Sequence, residues 1–352
     1  MIRVGLVGYG LAGKVFHAPF VTAVEGLELA AIVERSSRNA EAAYPGITTY
    51  PTLEAMLSDQ SLELIVIGTP NSTHVPLATE ALKAGRHVVV DKPVAATSAE
   101  LTDLISLATA QGKFLIPFHN RRWDSDFQTL HKLIHEGSVG DVVSLESTFD
   151  RWRPLRTTGS WKEVGGYGNG LLLDIGTHVV DQALVLFGQP EAVSAEILTE
   201  RQGSKANDSF TIRLHYPGKV VTVSANCLSA FPKPRFTLRG TKGGFLKWGL
   251  DPQETLLKAN YRAITTGGSN WAEEPAAKWG TLNIDAGDEH NTVVTHPVKP
   301  VPSDYRQYYA GVRDAIRGKS APPVLATEAL EVAKILEYAE QSAVKQQAIA
   351  CK

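Results

Sequence analysis

The chain has 352 residues, a length that suits two domains, each large enough to bury a core without disulfides or metals. Its 35 basic and 37 acidic residues form no basic run and no acidic tail, so neither nucleic acid nor a membrane is expected as a partner. Only Cys227 and Cys351 are present, and their wide spacing predicts neither a metal site nor a disulfide framework, which favours a reducing, cytoplasmic setting.

The first residues, Ile2 to Val7, form a predicted strand. They lack the basic segment, long apolar stretch and small-residue cleavage site of a signal peptide. No apolar run in the chain approaches the ~20 residues that a membrane-spanning helix needs. We therefore expect a protein that is not exported.

From residue 1 to about 120, short apolar runs alternate with amphipathic segments of helical length. The runs are nearly continuous in Val, Ile and Leu, as in parallel strands that are buried on both faces. The predicted strands are Val4 to Val7, Leu29 to Val33, Leu64 to Ile67, His87 to Val90 and Phe114 to Phe118. The predicted helices are Ala12 to Val24, Thr52 to Leu57, Thr73 to Ala84 and Ser98 to Gln111. This pattern predicts a doubly wound α/β domain with a parallel sheet over residues 1–120.

A glycine-rich turn, Gly8-Tyr9-Gly10-Leu11-Ala12-Gly13, directly follows the first predicted strand and opens a predicted helix. In that context the glycines keep the turn tight, let a pyrophosphate approach the backbone and let the helix pack closely on the strand. The free N–H groups of a helix N-terminus would bind the phosphates. We therefore predict that Gly8, Gly10, Leu11, Ala12 and Gly13 bind a dinucleotide.

Glu34 ends the second predicted strand, about 20 positions after the glycine-rich turn, where an acidic side chain binds the adenosine ribose hydroxyls. By itself this residue favours NAD. Arg35 follows at once, and together with Ser36, Ser37 and Arg38 it could hold the 2′-phosphate of NADP. Both cofactors stay open at this point, with Glu34 and Arg35 as predicted cofactor-binding residues.

Two further strand ends carry polar residues at the edge of the sheet where ligands bind in this class of domain. Thr69-Pro70-Asn71 follows one buried run and Asp91-Lys92-Pro93 follows the next. Proline holds Lys92 in an extended conformation, which would carry its ammonium group on stiff backbone beside the nicotinamide. We predict cofactor binding by Thr69, Pro70, Asn71, Asp91 and Lys92, and a catalytic role for Lys92.

The second part of the chain, residues 121–352, has a different character. A helix is predicted up to about His135, and from Val142 onward the strands alternate between apolar and polar residues. That alternation is typical of a mostly antiparallel sheet with one packed and one open face. Two helices near Tyr305 to Arg317 and Thr327 to Val344 close the chain, and Ala259 to Val301 is expected to form long loops.

Asp174 and His178 are the candidate reactive pair of this second part. On a helix their i, i+4 spacing places both side chains on one face, within reach of the same small molecule. Gly188 is a natural end for that helix, whose apolar stripe consists of Ile175, Val179, Ala183 and Leu186.

A polar loop with tryptophans precedes this segment and is the predicted substrate cover. Aromatic faces and hydrogen-bond donors suit a polyhydroxylated small molecule. The predicted substrate contacts are Arg121, Trp152, Arg153, Trp161, Asp174 and His178.

Three motifs, Gly8 to Gly13, Asp91-Lys92-Pro93 and Asp174 to His178, resemble those of the Gfo/Idh/MocA family of oxidoreductases in order and spacing across essentially the whole chain. Two others, Phe16-His17-Ala18-Pro19 and His119 to Asp124, are similar to the branch that contains NADP-dependent scyllo-inositol dehydrogenases. That branch usually lacks an acidic residue at the position of Glu34, so the resemblance favours NADP where Glu34 favours NAD.

The resemblance implies a Rossmann domain, a second α/β domain whose large open sheet supports homodimers or homotetramers, and a Lys92–Pro93 bond that is often cis. It also implies hydride transfer between the nicotinamide and a hydroxyl or carbonyl group of a cyclitol, sugar or polyol. His178 would be the base, because histidine titrates near the working pH. Lys92 would stabilise the charge on the reacting oxygen, and Asp174 would orient the pair or relay protons.

Two alternatives remain within the same family. One is a glycosidase that keeps NAD bound and oxidises its sugar only transiently. The other is a dinucleotide-sensing regulator, in which the binding turn is kept but the catalytic residues are not required. Intact Lys92, Asp174 and His178 argue against the regulator.

Overall fold

The computed structural model describes residues 1–35, 38–156, 165–166, 168–261, 264 and 271–351. The chain divides into two compact units. The first unit comprises Met1–Asn120, Gln253–Ala272 and Asp304–Leu330, and the second comprises Arg121–Pro252, Glu273–Ser303 and Glu331–Lys352.

Strands and helices follow one another in the order expected for two successive α/β units. The strands are β1 (Ile2–Val7), β2 (Leu27–Val33), β3 (Thr48–Tyr50), β4 (Leu64–Ile67), β5 (His87–Asp91), β6 (Leu115–Phe118), β7 (Val142–Thr148), β8 (Ala192–Leu198), β9 (Ser209–Tyr216), β10 (Lys219–Asn226), β11 (Phe236–Gly240), β12 (Gly243–Lys247), β13 (Gly280–Asp285), β14 (Val293–Val298) and β15 (Ile349–Ala350). The α-helices are α1 (Ala18–Ala23), α2 (Asn39–Ala43), α3 (Leu53–Leu57), α4 (His74–Lys83), α5 (Ser98–Ala110), α6 (Ser125–His135), α7 (Thr177–Phe187), α8 (Gln253–Ala259), α9 (Arg306–Ile316) and α10 (Ala326–Lys345). Single π-helical turns span Gly13–His17 and Leu172–Gly176, and 3₁₀ turns span Asn71–Thr73, Asn120–Trp123 and Ala276–Lys278.

The first unit contains a parallel sheet with the strand order β3-β2-β1-β4-β5-β6. Every neighbouring pair in it is parallel. The four residues of β4 are fully buried, as expected for a strand with helices on both faces. This order is that of a Rossmann domain, and its ligand-binding edge lies at the carboxyl ends of β1 and β4, where the order reverses.

The predicted strands and helices of this unit are found, with two additions. The short β3 and α2 were missed because both are largely exposed and lack an apolar run. Pro19 is accommodated without a late start, because the helical segment begins at Leu11 and passes through the π turn Gly13–His17 directly before α1, which has the proline in its first turn.

Two later segments pack with the first unit, although the sequence suggested a single cut at residue 120. In α9, Arg313 donates to the carbonyl oxygen of Glu25 and Tyr309 bonds His17. Nothing in the periodicity of α9 indicates which sheet it covers, so its return to the first unit could not be deduced from the pattern.

The second unit is built on a larger sheet with the strand order β14-β13-β12-β11-β7-β10-β9-β8-β15. Within the described chain its pairs are antiparallel except β7 with β10. Along β9 the alternation is as predicted: the buried residues are Phe210, Ile212, Leu214 and Tyr216, whereas Arg213 is exposed. A parallel Rossmann sheet followed by a mostly antiparallel open sheet confirms the predicted fold class.

The expectation of long loops from Ala259 to Val301 is wrong for two segments. β13 and β14 pair with each other, and β13 pairs with β12, at one edge of the large sheet. In β14 only Val298 is not exposed, so that strand has no buried face to mark it in the sequence. In β13 the residues Thr281 to Asp285 do alternate, with Leu282 and Ile284 half-buried, but the pattern is short and was missed.

Among the described residues, no helix combines the length and the apolar character that crossing a bilayer would require.

Candidate active site

The glycine-rich turn lies at the carboxyl end of β1, and close contacts explain two of its glycines. Gly8 has a φ of 94°, and a Cβ on it would lie 2.8 Å from Thr69 Cγ2. A Cβ on Gly13 would lie 2.0 Å from the carbonyl oxygen of Gly8. Neither position can hold a side chain, so the helical segment that follows packs tightly against the strand.

Gly10 differs from its two neighbours, because a Cβ there would meet no protein atom within 4 Å. Leu11 beside it is 63% exposed. The backbone at Gly10 therefore borders open space at the start of a helical segment, whose first N–H groups have no partner within the helix. This geometry fits the pyrophosphate of a dinucleotide, and Gly8, Gly10, Leu11, Ala12 and Gly13 are the residues that would hold it.

Glu34, at the end of β2, is engaged by the protein itself. One carboxylate oxygen accepts a hydrogen bond from the N–H of Asn39 at 3.2 Å, and the other accepts one from the N–H of Ala40 at 3.0 Å. Its position is the one predicted for a ribose-binding acid, but the carboxylate also caps the N-terminus of α2.

The basic residues after Glu34 are exposed. Arg35 is on the surface directly after β2, and the Arg38 side chain is 89% exposed, with Glu41 at 3.8 Å. An exposed pair that far apart holds the guanidinium only weakly. Ser36 and Ser37 lie outside the described residues.

Thr69-Pro70-Asn71 follows β4 at the same sheet edge. Thr73 Oγ1 lies 2.7 Å from both the Pro70 carbonyl oxygen and Thr69 Oγ1, which closes a 3₁₀ turn starting at Asn71. His74 is fully buried below this turn. Its Nδ1 lies 2.7 Å from the carbonyl oxygen of Pro93 and its Nε2 lies 2.8 Å from that of Thr69, so it joins two neighbouring strand ends.

Asp91-Lys92-Pro93 follows β5, and its Lys92–Pro93 bond is cis. Asp91 Oδ1 accepts the backbone N–H of Lys92 at 2.8 Å, and Oδ2 lies 3.8 Å from His17 Nε2. Burial raises the pKa of Asp91, but the side chains of His17, Lys92 and His74 more than offset burial and lower the pKa to about 2. The carboxylate is therefore ionised over the whole physiological pH range.

In the second unit, Asp174 and His178 lie on one continuous helical segment, as predicted. Asp174 is in the π turn Leu172–Gly176 and is half-buried, and His178 is in the first turn of α7 and is buried. Asn207 fixes where the segment begins, because its side-chain oxygen accepts the N–H of Leu172 at 2.8 Å. π turns are rare and often occur at functional sites, and the two in the described chain carry His17 and Asp174.

Helix α7 is held in place by the nearly buried Arg122 and the buried Arg235, which the sequence did not single out. Arg122 binds Asp181 with two hydrogen bonds of 2.9 and 2.7 Å. Arg235 donates to Gln182 Oε1 at 2.6 Å, and Gln182 Nε2 donates to the carbonyl oxygen of Arg121 at 2.9 Å. Asp181 and Gln182 lie about one helical turn after His178, so these bonds restrict the orientation of the segment that carries His178.

The predicted substrate contacts fall into different environments. Arg121 is buried, with its guanidinium 3.3 Å from Asp124 and 4.8 Å from the centre of the Phe149 ring. Trp152 is 58% exposed and Arg153 is exposed. Trp161 lies outside the described residues.

No group of three or more His, Cys, Asp or Glu in the described chain is placed to hold a metal ion.

The residues that sequence reasoning missed are His17, Tyr309, Arg122, Asp181, Gln182 and Arg235. For His17 a clue was present, because it lies in the Phe16-His17-Ala18-Pro19 motif directly after the glycine-rich turn.

Two family models match the chain. Residues 2–119 match an oxidoreductase family with an NAD-binding Rossmann fold, and residues 127–246 match the GFO/IDH/MocA C-terminal domain. Among curated relatives, the uncharacterized oxidoreductase YdgJ of Escherichia coli is 40% identical over 99% of this chain and 98% of its own. The scyllo-inositol 2-dehydrogenase (NADP(+)) IolW of Bacillus subtilis is 32% identical over 99% and 95%.

Solved structures agree with this assignment. The yvaA protein of Bacillus subtilis superposes with a TM-score of 0.93 at 31% identity, covering 100% of this chain and 98% of its own. An oxidoreductase structure from Yersinia pestis superposes with a TM-score of 0.92 at 41% identity, covering 100% and 97%. The chain therefore belongs to the GFO/IDH/MocA family of oxidoreductases, and its first unit is an NAD(P)-binding Rossmann domain.

Proposed function

We propose that this protein is an NADP-preferring dehydrogenase that transfers a hydride reversibly between the nicotinamide and a hydroxyl or carbonyl group of a cyclitol, sugar or polyol. The observation that carries the proposal is the position of Lys92, which follows β5 at the same sheet edge as the dinucleotide turn after β1. The similarity to IolW, which is named for scyllo-inositol and NADP, supports the substrate class. That part rests on analogy within the family.

The catalytic roles follow from the chemistry of alcohol oxidation. When bound, the nicotinamide accepts or supplies the hydride. His178 takes the hydroxyl proton during oxidation and returns it to the carbonyl oxygen during reduction. The Lys92 ammonium group donates a hydrogen bond to the same oxygen and stabilises its negative charge, while Asp174, four residues before His178, orients the imidazole.

The preference for NADP is supported by the environment of β2. Both oxygens of the Glu34 carboxylate accept backbone hydrogen bonds from α2. Glu34 therefore has a structural role at the start of that helix, apart from any contact with the ribose. The exposed guanidinium groups of Arg35 and Arg38 are available to a 2′-phosphate, and arginine binds phosphates in a bidentate manner.

We further propose a homodimer or homotetramer that acts in the cytoplasm. The open face of the large sheet exposes apolar side chains, among them Val143 at 39%, Leu198 at 52% and Val220 at 37%. Exposed apolar residues on a sheet face favour association between copies. Both cysteines are free thiols, which suits a reducing compartment.

The test is the initial rate of nicotinamide reduction with NADP and with NAD, each offered inositols, aldoses and other polyols. We expect turnover with at least one polyol, and a loss of roughly 10²- to 10⁴-fold in kcat for His178→Ala, the range for a removed general base. Arg35→Ala should raise KM for NADP about tenfold or more while leaving turnover with NAD unchanged.

Each alternative has its own outcome. Tight dinucleotide binding without net reduction, together with cleavage of a glycoside, would identify a transiently oxidising glycosidase. Tight binding with no chemistry on any compound would indicate a sensor. A wild-type rate that His178→Ala does not change would refute the assigned roles.

A further inference from the structure

A buried imidazole and a buried phenol lie behind Asp91 in the first unit. His17 and Tyr309 are both 0% exposed, and His17 Nδ1 lies 2.7 Å from the Tyr309 hydroxyl. The other ring nitrogen, Nε2, lies 3.8 Å from Asp91 Oδ2, and Asp91 Oδ1 accepts the backbone N–H of Lys92. The four residues therefore form one chain of polar groups that runs from α9 to Lys92.

The imidazole of His17 has little freedom to turn. The ring of Phe118 packs against it with 4.5 Å between ring centres. On another side is Gly68, where a Cβ would lie only 2.9 Å from His17 Cδ2. Glycine at position 68 thus makes room for the ring, and the packing assigns each ring nitrogen to a single partner.

Hydrogen-bond chemistry then selects one tautomer of His17. The ionised Asp91 carboxylate can only accept, and at 3.8 Å from His17 Nε2 it is too far for a hydrogen bond, but its negative charge favours the tautomer with the proton on Nε2. Burial and the negative charge of Asp91 raise the pKa of Tyr309 well above its ordinary value, so the phenol keeps its proton. Its O–H can donate to Nδ1, and every donor in the chain then faces an acceptor.

We propose that His17 and Tyr309 are positioning residues for Lys92, in which the imidazole, held by Tyr309 as the Nε2–H tautomer, keeps the Asp91 carboxylate ionised and turned towards the backbone N–H of Lys92. This inference rests on the proposed function in one respect, because it takes Lys92 to be a catalytic residue. At the Tyr309 end the chain is fully buried, whereas the Asp91 side chain at the other end is 20% exposed.

Four titratable groups interact with Asp91, while the neighbouring strand β6 places the apolar Phe118 beside it. They are His17 from the π turn, His74 from α4, Tyr309 from α9 and Lys92 from its own strand end. Without His17, whose effects on Asp91 are the largest after burial, the pKa of Asp91 would rise. The negative charge that holds the Lys92 N–H would then be lost at a higher pH than in wild type.

Matched variants separate this role from a merely structural one. Tyr309→Phe removes the hydroxyl that faces His17. Tyr308→Phe is the control, because Tyr308 is equally buried on the same helix but donates to the carbonyl oxygen of Pro117 at 3.0 Å. His17→Asn retains a polar group near Nδ1 only, and His17→Gln retains one near Nε2, so the glutamine variant is the conservative rescue.

We expect Tyr309→Phe and His17→Asn to lower kcat about tenfold, the effect of one hydrogen bond to a charged group, with KM for the dinucleotide within about twofold of wild type. Both should also move the acid limb of the kcat profile upward by about one pH unit or more. Tyr308→Phe and His17→Gln should keep the wild-type profile. Identical profiles for Tyr309→Phe and Tyr308→Phe would overturn the proposal.

A second measurement requires no turnover. In protein labelled with ¹⁵N-histidine, the resonances missing from His17→Gln identify His17, and those of the neutral ring should show a protonated Nε2 and an unprotonated Nδ1. A protonated Nδ1 overturns the proposal whatever the enzyme activity is. If the proposed function fails, so that wild type oxidises no polyol, the tautomer of His17 still decides this inference independently.

Discussion

Gly10 and Gly13 belong to the same turn, yet the structure predicts opposite consequences for substituting them with alanine. A Cβ on Gly13 would lie 2.0 Å from the Gly8 carbonyl oxygen, so backbone must move to accept it. Overpacking of this kind costs about 1–3 kcal/mol of folding stability. Gly10 has no protein atom within 4 Å of the added methyl group and no left-handed φ. Gly10→Ala should therefore leave the apo protein unchanged, or stabilise it by about 0.4–1 kcal/mol.

Although Gly10→Ala should not weaken folding, it should weaken dinucleotide binding. The methyl group would occupy the space that the pyrophosphate needs, and we expect the Kd for NADP to rise at least tenfold, or about 1.4 kcal/mol. The stabilisation that saturating NADP gives to the folded state should fall by the same amount.

The assay is thermal unfolding of wild type, Gly10→Ala and Gly13→Ala, each with and without NADP, alongside titration calorimetry. Gly13→Ala should lower the Tm of the apo protein, whereas Gly10→Ala should lose only the shift produced by NADP. Wild-type affinity in Gly10→Ala would refute the placement of the pyrophosphate over this turn. Equal destabilisation of both apo variants would refute the packing argument.

Two further predictions concern stability. Asp181→Asn breaks the two-bond pair with the nearly buried Arg122 and should cost about 3–5 kcal/mol in urea unfolding, whereas Glu331→Gln, at an exposed pair, should stay within about 0.5 kcal/mol. Burial, followed by the charge of a nearby lysine, lowers the pKa of His87 to about 4, and its Nδ1 accepts the N–H of Phe114. Because the unfolded chain takes up that proton first, stability should be full above pH 6.5 and fall between pH 6.5 and 4, and His87→Asn should flatten that slope.

Much of the Rossmann unit was predictable because its strands are buried on both faces and each ends in a recognisable motif. The same holds for α7, where an apolar stripe and Gly188, with its φ of 70°, mark the helix and its end. What failed were short segments with few buried residues. β3 is short and largely exposed, β14 is exposed along nearly its whole length, and in β13 only Gly280 is buried, with Leu282 and Ile284 half-buried.

Parts of the candidate site could not be deduced, because they depend on contacts between distant parts of the sequence. Tyr309 comes from α9, yet it bonds His17 directly after the dinucleotide turn. Arg235, which lies directly before β11, bonds Gln182, although the two are far apart in sequence. Glu34 illustrates the opposite case, since its position predicted a ribose ligand while the structure adds two backbone hydrogen bonds from α2. Local spacing identifies motifs, but it does not reveal which buried groups support them.

The central claim is that a hydride moves from a carbinol carbon to the nicotinamide. It is tested most directly with a polyol that carries deuterium on the carbon to be oxidised, followed by mass spectrometry of the nucleotide. We expect reduced NADP that contains one deuterium and a ketone or lactone product in equal amount. The absence of reduced nucleotide, or reduced nucleotide without deuterium, would contradict direct hydride transfer.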